Sequence, residues 1–277
     1  MDIVDTHTHI ATVLDPRFPP MSSDLTHEWW RSGGSVEDLL TELDANGVRR
    51  AVIVQAIAAY GFDCSYATAC VASHADRVAF VAAIDMHAPD PVADLAHLLD
   101  ATPNARVAGI RLFGVGGGAP TWLTDGRARD VWEFAVGRDL VIVPTIFARE
   151  FANLRAVIET NPQVTVAIDH CGFIDMVEGD GEAMLFSLAD IPSVHLKVTS
   201  YVLEAAERDE VDPAALAERL VAAFGSHRLC WGSDHPQDQR HDYAGKLALA
   251  HRATRNFDEE SRNDFFNDTG AGLFFPK

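Results

Sequence analysis

The chain has 277 residues, of which 48% are hydrophobic, and this length suits one α/β domain spanning residues 1–277. The formal net charge of −19 disfavours nucleic acids and anionic membrane surfaces as partners. No segment is long and apolar enough to span a bilayer, and acidic residues replace the basic start of a secretory signal. The cysteines lack the spacing of a zinc site and are too few for a disulfide scaffold. They are therefore expected to be buried thiols of a protein in the reducing cytoplasm. They are Cys64, Cys70, Cys171 and Cys230.

Short β-branched runs alternate with amphipathic segments along the chain. The predicted strands are Ile3–His7, Arg50–Gln55, Val78–Ile84, Val107–Phe113, Leu140–Ile146, Val164–Ile168, Val194–Val198 and Leu229–Gly232. The clearest predicted helices are Val36–Asn46, Ser65–Ala75, Pro91–Asp100, Asp130–Gly137, Phe151–Thr160 and Pro213–Phe224. Several strands are nearly continuous apolar runs, which is typical of a parallel sheet buried on both faces. Eight such units without a charged linker predict a (β/α)8 TIM barrel of the α/β class.

Polar residues concentrate where the predicted strands end. The carboxyl ends of the strands form the active-site face of a barrel. His7 and His9 are two residues apart on the first strand, so their side chains point to the same side of it. Later strand ends and the loops after them contribute Gln55, Tyr60, Arg111, Asp169, His170, Lys197 and Asp234. Polar strand ends on apolar strand bodies indicate an enzyme.

Three motifs resemble the amidohydrolase superfamily. They are His-Thr-His at 7–9, Asp-His-Cys-Gly at 169–172 and Trp-Gly-Ser-Asp-His-Pro at 231–236. Further similarity lies in Asp-Pro-Arg-Phe-Pro at 15–19, the segments 54–61 and 107–113, and Leu-Lys-Val-Thr-Ser at 196–200. The chain is therefore similar to the amidohydrolase-2 family, and within it to a lactonase branch that includes pyrone-dicarboxylate and sugar-acid lactonases. The resemblance implies a TIM barrel that hydrolyses a lactone.

The metal-binding pattern of the superfamily is incomplete in this sequence. Two-metal members take a ligand from strand four and a histidine from strand five. Here strand four carries Arg111, a permanent cation, and strand five has no histidine, so a two-metal site is not expected. One zinc ion on His7, His9, His170 and Asp234 is chemically reasonable. Because the lactonase branch includes members that work without metal, the expectation is no metal cofactor, with one zinc as the alternative.

The expected reaction is attack of water on a lactone carbonyl. Asp234 is expected to accept the proton of the water. His7, His9 and His170 are expected to donate hydrogen bonds to the carbonyl oxygen, with at least one of them protonated. Two alternatives stay open: a zinc-dependent decarboxylase of the same superfamily, which the missing histidine disfavours, and a barrel that only binds a ligand.

Five residues are candidates for binding the substrate. Gln55, Tyr60 and Tyr201 are expected, by resemblance alone, to hydrogen-bond to it. Arg111 is expected to grip a substrate carboxylate through two hydrogen bonds, and a buried ion pair is an equally weighted alternative. Arg17, in the loop after the first strand, either contacts an anionic substrate or stays solvated.

The expected ligand is a small molecule, an anionic or sugar-acid lactone. Its identity should depend on the loops 11–35, 114–126 and 172–182, which no motif interprets. Lys197 is expected to form a structural salt bridge. A homo-oligomer is compatible with the sequence, which leaves the oligomeric state open.

Overall fold

The computed structural model describes residues 2–12, 15–21, 34–116, 118–237 and 239–276. Eight parallel strands form one sheet in which each strand pairs with its neighbours in sequence. They are β1 (Val4–Thr8), β2 (Arg50–Val54), β3 (Val78–Ile84), β4 (Val107–Phe113), β5 (Val141–Thr145), β6 (Val166–Ile168), β7 (Val194–Thr199) and β8 (Leu229–Gly232). Within these ranges, no helix has both the length and the apolar character needed to cross a membrane.

The end of β8 returns to β1 and closes the sheet. The backbone N–H of Asp234 donates to His7 O at 2.8 Å, and that of His9 donates to His235 O at 2.7 Å. Thr8 also forms a parallel bridge with His235. The predicted (β/α)8 barrel is confirmed. The predicted limits of β3, β4 and β8 agree with the structure, and the other strands differ by one or two residues at an end.

Helices surround the barrel. They are α1 (Val36–Ala45), α2 (Ile57–Tyr60), α3 (Ser65–Ser73), α4 (Pro91–Ala101), α5 (Arg127–Val136), α6 (Phe151–Thr160), α7 (Gly181–Phe186), α8 (Ser200–Arg208), α9 (Pro213–Phe224), α10 (Tyr243–Ala253), α11 (Glu259–Asn263) and α12 (Thr269–Phe274). Ser35 and Asp38 form a reciprocal capping box at α1. The predicted start of α5 at Asp130 is wrong by three residues. The helix begins at Arg127, where the Asp125 carboxylate accepts a hydrogen bond from the first backbone N–H.

Apolar side chains fill the amino-terminal half of the barrel interior. This interior cluster consists of Val4, Val52, Val54, Ala79, Val81, Ala108, Val141, Val143, Ala167, Phe274 and Phe275. The two phenylalanines come from the end of the chain, and the guanidinium of Arg50, at the start of β2, lies 4.5 Å from the ring centre of Phe275. Because these rings pack against the strand starts, the polar side chains of the barrel gather at its opposite, carboxyl end.

A local irregularity in β1 decides which of its side chains face the interior. Val4 belongs to the interior cluster, so strict alternation would turn His7 away from it. The pairing register of β1 with β2 shifts between Asp5 and Thr8. Both His7 and His9 therefore reach the same interior space above the apolar cluster.

Asp5 ties β1 to the segment after β8. Its Oδ1 accepts hydrogen bonds from the backbone N–H groups of Ser233 at 2.8 Å and His7 at 3.1 Å, and its Oδ2 accepts from the hydroxyl of Tyr243 at 2.7 Å. Burial raises the pKa of the Asp5 carboxyl, while these hydrogen bonds favour its charged form. The bonds hold together the two strands that carry the functional side chains described below.

Tyr243→Phe should lower the free energy of unfolding by about 1–3 kcal/mol, because it leaves a buried oxygen of Asp5 without its donor. Chemical denaturation measures the loss. Tyr66→Phe is the matched control, since Tyr66 is also buried and has no hydrogen bond to a carboxylate of the described residues. Equal unfolding midpoints for the two variants would contradict the structural role given to Asp5.

Candidate active site

The four candidate catalytic side chains meet at the carboxyl ends of β1, β6 and β8. His7 and His9 extend from β1, His170 from the turn after β6, and Asp234 from the segment after β8. Each of the four is at most 3% exposed. Residues separated by more than 220 positions in sequence thus share one enclosed space.

The backbone is strained where two of these side chains are presented. His170 has φ of 52° and Asp234 has φ of 55°, in the left-handed region that non-glycine residues rarely adopt. Such strain persists only where surrounding structure enforces it, and it is typical of functional sites. Gly232 allows the close approach of β8, because a Cβ there would lie 2.6 Å from the Cβ of His7.

Three atoms converge on one point of the site. His7 Nε2 and His9 Nε2 are 3.3 Å apart. Asp234 Oδ1 lies 3.3 Å from His9 Nε2 and 3.7 Å from His7 Nε2. His170 is not in this group of three; it forms a second group with His7 and Asp169. The four expected ligands therefore divide into a compact set of three and one neighbour.

The contacts of Nδ1 in His7 and His9 show which nitrogen of each ring carries the proton and which one faces Asp234. His9 Nδ1 lies 2.8 Å from the carbonyl oxygen of Val54, which can only accept a hydrogen bond, so Nδ1 carries the proton. His7 Nδ1 lies 3.1 Å from Asp169 Oδ1, and a lone pair there would be repelled by the carboxylate. In their neutral forms both rings therefore direct a lone pair from Nε2 toward Asp234.

The charge states follow from burial. Burial lowers the pKa of His7 well below its ordinary value and also lowers the pKa of His170, so both rings are neutral near pH 7. Burial alone would raise the pKa of Asp234, but its contacts with His9, His170 and His7 outweigh burial and hold it below its ordinary value. Asp234 is therefore ionised.

This arrangement fits a divalent cation. Two lone pairs and a carboxylate oxygen face one another, and Asp234 Oδ1 makes no hydrogen bond within the ranges that the structure describes. Ligands about 2.0–2.1 Å from a tetrahedral zinc ion lie about 3.4 Å from each other, close to the spacings found here. The donor set of two imidazoles and one carboxylate is also one that zinc prefers.

Asp169 lies below this point at the centre of a buried charge network. Its Oδ1 accepts a hydrogen bond from Lys197 Nζ at 2.9 Å, and its Oδ2 accepts from Thr145 Oγ1 at 2.6 Å. Arg111 Nε lies 3.2 Å from Oδ2. Asp169 and Lys197 are both 0% exposed. The salt bridge expected for Lys197 is present, and its partner is the residue next to His170.

Arg111 is only 4% exposed and takes part in the same network. Its Nε also donates to Thr145 Oγ1 at 2.8 Å, and one terminal nitrogen donates to the carbonyl oxygen of Gln55 at 3.0 Å. The other terminal nitrogen has no hydrogen bond to any part of the chain with a described position. The buried ion pair is thus present, and it leaves one nitrogen for a ligand.

Gln55 and Tyr60 are used to hold loops. The amide nitrogen of Gln55 donates to the carbonyl oxygens of Gly61 and Asp63, both at 2.9 Å. The hydroxyl of Tyr60 accepts from Thr12 N at 3.0 Å and donates to Thr12 O at 3.1 Å. Both side chains were expected to contact the substrate. In the structure their hydrogen bonds hold loop backbone instead.

Tyr201 lies beside His170, with ring centres 5.7 Å apart, and its hydroxyl donates to Asp175 Oδ2 at 2.9 Å. Phe173 forms an aromatic wall with Tyr201 on this side of His170. Its ring centre lies 4.8 Å from that of His170 and 5.6 Å from those of Tyr201 and Phe147. The sequence analysis missed Phe173. Its position directly after the Asp-His-Cys-Gly motif was the only signal available.

The loops are partly outside the described residues. Positions 13–14 and 22–33 of the loop 11–35 and position 117 of the loop 114–126 are not described. Arg17 is 76% exposed and pairs with Asp15, as in the solvated alternative. A cavity of about 610 Å³ lies between the 174–183 segment and α8, and none of the four candidate catalytic residues lines it.

The chain is similar to known proteins over nearly its whole length. Residues 4–275 match the amidohydrolase family. The chain is 27% identical over 243 residues to an L-fucono-1,5-lactonase of Burkholderia ambifaria, an alignment covering 84% of this chain and 80% of the relative.

Two solved structures share the fold across 99% of both chains, each with a TM-score of 0.79. One is a probable 2-pyrone-4,6-dicarboxylic acid hydrolase of Acinetobacter baumannii with citric acid bound, at 19% identity. The other is an amidohydrolase of Burkholderia multivorans with bound zinc, at 20% identity. The family match covers nearly the whole sequence and confirms the expectation of a hydrolase. The chain belongs to the amidohydrolase family.

Proposed function

We propose that this protein is a lactonase that opens a lactone ring by attack of water. The observation that carries the proposal is the convergence of His7 Nε2, His9 Nε2 and Asp234 Oδ1 at the carboxyl end of the barrel. The curated relative is named for a lactone, and a structural neighbour is named for a pyrone-dicarboxylic acid, a ring lactone that carries carboxylates. Both names favour a lactone over an amide as the substrate.

The three converging residues would hold one divalent cation, and zinc suits their donor atoms. A cation at that point would polarise the lactone carbonyl and lower the pKa of water. The zinc bound in the Burkholderia multivorans neighbour supports this assignment. The geometry therefore favours the one-zinc alternative over the metal-free chemistry expected from the sequence, because the Nδ1 atoms of His7 and His9 face a carboxylate and a carbonyl oxygen, which leaves their Nε2 atoms to act as ligands.

The protein's own groups perform the proton transfer. Asp234 is ionised, so when its Oδ1 holds the cation, its other carboxylate oxygen accepts the proton of the attacking water. His170 is held by a hydrogen bond between its Nδ1 and Thr199 Oγ1 at 2.8 Å, which fixes its ring beside the reacting groups. The left-handed backbone at both residues fixes their positions before a substrate arrives.

The substrate class is an anionic or sugar-acid lactone. Arg111 keeps one terminal nitrogen for an anionic group of the substrate. The citric acid bound in the Acinetobacter baumannii neighbour carries carboxylates that could serve as such a group. The decarboxylase alternative is less well supported, since a 2,6-dihydroxybenzoate decarboxylase of Rhizobium shares the fold at a lower TM-score of 0.66. The end of β5, where such an enzyme would need a histidine, carries Thr145, which is bonded to Asp169.

Zinc added to metal-depleted protein should bind with one ion per chain. At a free concentration 100 times its Kd, zinc should raise the free energy of unfolding by about 2.7 kcal/mol. Titration calorimetry gives the stoichiometry and thermal unfolding gives the shift. His9→Gln should weaken binding, whereas His74→Gln, directly after α3, should not. Two ions per chain, or equal affinity in both variants, would count against the three-residue site.

Asp234→Asn should keep the fold and lower lactone turnover by at least about 100-fold, because the amide cannot take the proton. The measurement is the initial rate of ring opening, followed by acid release from a panel of sugar lactones and 2-pyrone carboxylates. Circular dichroism checks the fold. Near-normal hydrolysis by this variant would remove Asp234 as the base, and no hydrolysis by the wild type on any lactone would reject the proposed function.

Arg111→Lys should raise KM for a carboxylate-bearing lactone by roughly 10- to 100-fold, from the loss of about 1.5–3 kcal/mol of charge-assisted hydrogen bonding. Lysine keeps the charge but cannot satisfy Thr145 and Gln55 while also reaching a ligand. KM for a neutral sugar lactone should change much less. Equal losses for charged and neutral lactones in a folded variant would show that Arg111 acts only in its ion pair.

A further inference from the structure

Asp169 is the most heavily contacted carboxylate of the site, yet it is not among the three converging groups. Four groups surround it: Lys197, Thr145, Arg111 and the Nδ1 edge of His7. They come from β7, β5, β4 and β1, while Asp169 itself follows β6. Because five strands meet at this carboxylate, it cannot shift without a rearrangement of the barrel interior.

The contact with His7 has a chemical consequence. A neutral imidazole carries one proton, and the nitrogen that bears it cannot act as a ligand through a lone pair. The Asp169 carboxylate, 3.1 Å from Nδ1, favours the proton on that nitrogen. The lone pair then belongs to Nε2, the atom that lies 3.3 Å from His9 Nε2.

The contact with Lys197 determines whether Asp169 could also ligate a metal ion. His7, Asp169 and His170 have the spacing of a second group that could hold an ion. However, the Lys197 ammonium bonds Asp169 Oδ1 at 2.9 Å, and both side chains are 0% exposed. The Lys197 side chain thus fills the place beside this carboxylate, which leaves Asp169 to orient His7 instead of ligating a metal.

We propose that Asp169 is a positioning residue: clamped by Lys197, Arg111 and Thr145, it fixes the ring orientation and tautomer of His7, so that Nε2 faces His9 and Asp234. The carboxylate touches neither the substrate nor the ion at the three-residue point. Orienting groups of this kind change metal affinity or activity by 10- to 100-fold when they are removed. The part of the inference that concerns turnover rests on the proposed lactonase function, and the tautomer and the zinc affinity do not.

Two variants separate positioning from simple support of the fold. Asp169→Asn keeps the shape but leaves Lys197 facing an uncharged group. The double variant Asp169→Asn with Lys197→Met also removes the ammonium, so that only Arg111, and not two buried cations, is left without its carboxylate. Arg228→Met is the matched control, because Arg228, directly before β8, is also buried and donates to the carbonyl oxygens of Ala189, Ile191 and Phe224, away from the candidate site.

The first measurement is the ring tautomer of His7 in metal-free protein, read from long-range ¹H–¹⁵N spectra and assigned with His7→Gln. The wild type and Arg228→Met should show the proton on Nδ1, and the two Asp169 variants should show a mixture or the Nε2 form. The second measurement is the Kd for zinc alone, by competition with a chromophoric chelator. It should rise 10- to 100-fold in the Asp169 variants and less than about 3-fold in Arg228→Met.

Turnover provides a third readout. On any lactone that the wild type opens, the Asp169 variants should lose kcat with little change in KM, because Asp169 acts only through His7. An unchanged tautomer, or wild-type zinc affinity in a folded Asp169 variant, would overturn the proposal even if lactone hydrolysis is established. A changed tautomer with weaker zinc binding would support it even if no lactone is hydrolysed.

Discussion

The pairing of buried charges around Asp169 is the constraint on which the site depends. An unpaired carboxylate or ammonium in the barrel interior would cost several kcal/mol, so Asp169, Lys197 and Arg111 are stable there only together. Thr145 completes the set by donating to the same carboxylate. The network spans strands β4 to β7 and contacts β1 through His7. One electrostatic requirement therefore links the barrel interior to the ring of a candidate catalytic histidine.

The amino-terminal end of the barrel interior is apolar and the carboxyl end is polar. The packing at the apolar end stabilises a fold whose polar end is strained. The phenylalanines at 274 and 275 pack among small and β-branched side chains at the strand starts, which provides the apolar packing that the polar end lacks. At the carboxyl end, strained backbone at His170 and Asp234 and the close approach at Gly232 hold donor atoms 3.3–3.7 Å apart. Stability is concentrated at one end and reactivity at the other.

The substrate candidates divide according to their hydrogen bonds. The side chains of Gln55 and Tyr60 form hydrogen bonds with loop backbone. Two of the three guanidinium nitrogens of Arg111 form hydrogen bonds inside the charge network. Among the described residues, one guanidinium nitrogen of Arg111 and the ring of Phe173 beside His170 are then left for the proposed substrate. A polar anchor with an apolar wall suits a ring that carries an acid or hydroxyl groups on one edge.

The sequence by itself determined the barrel, because alternating apolar strands and helices have few other ways to bury both faces of a parallel sheet. It also located His7, His9, His170 and Asp234, since residues at strand ends in a barrel must share one face. Only the tertiary structure decided that three of them converge while His170 stands beside them, that β1 shifts register, and that Arg111 and Lys197 meet at Asp169. These outcomes depend on distances between side chains from different strands. Ring tautomers, ion pairs and hydrogen bonds are set by separations of a few tenths of an ångström, which no spacing along a single strand encodes.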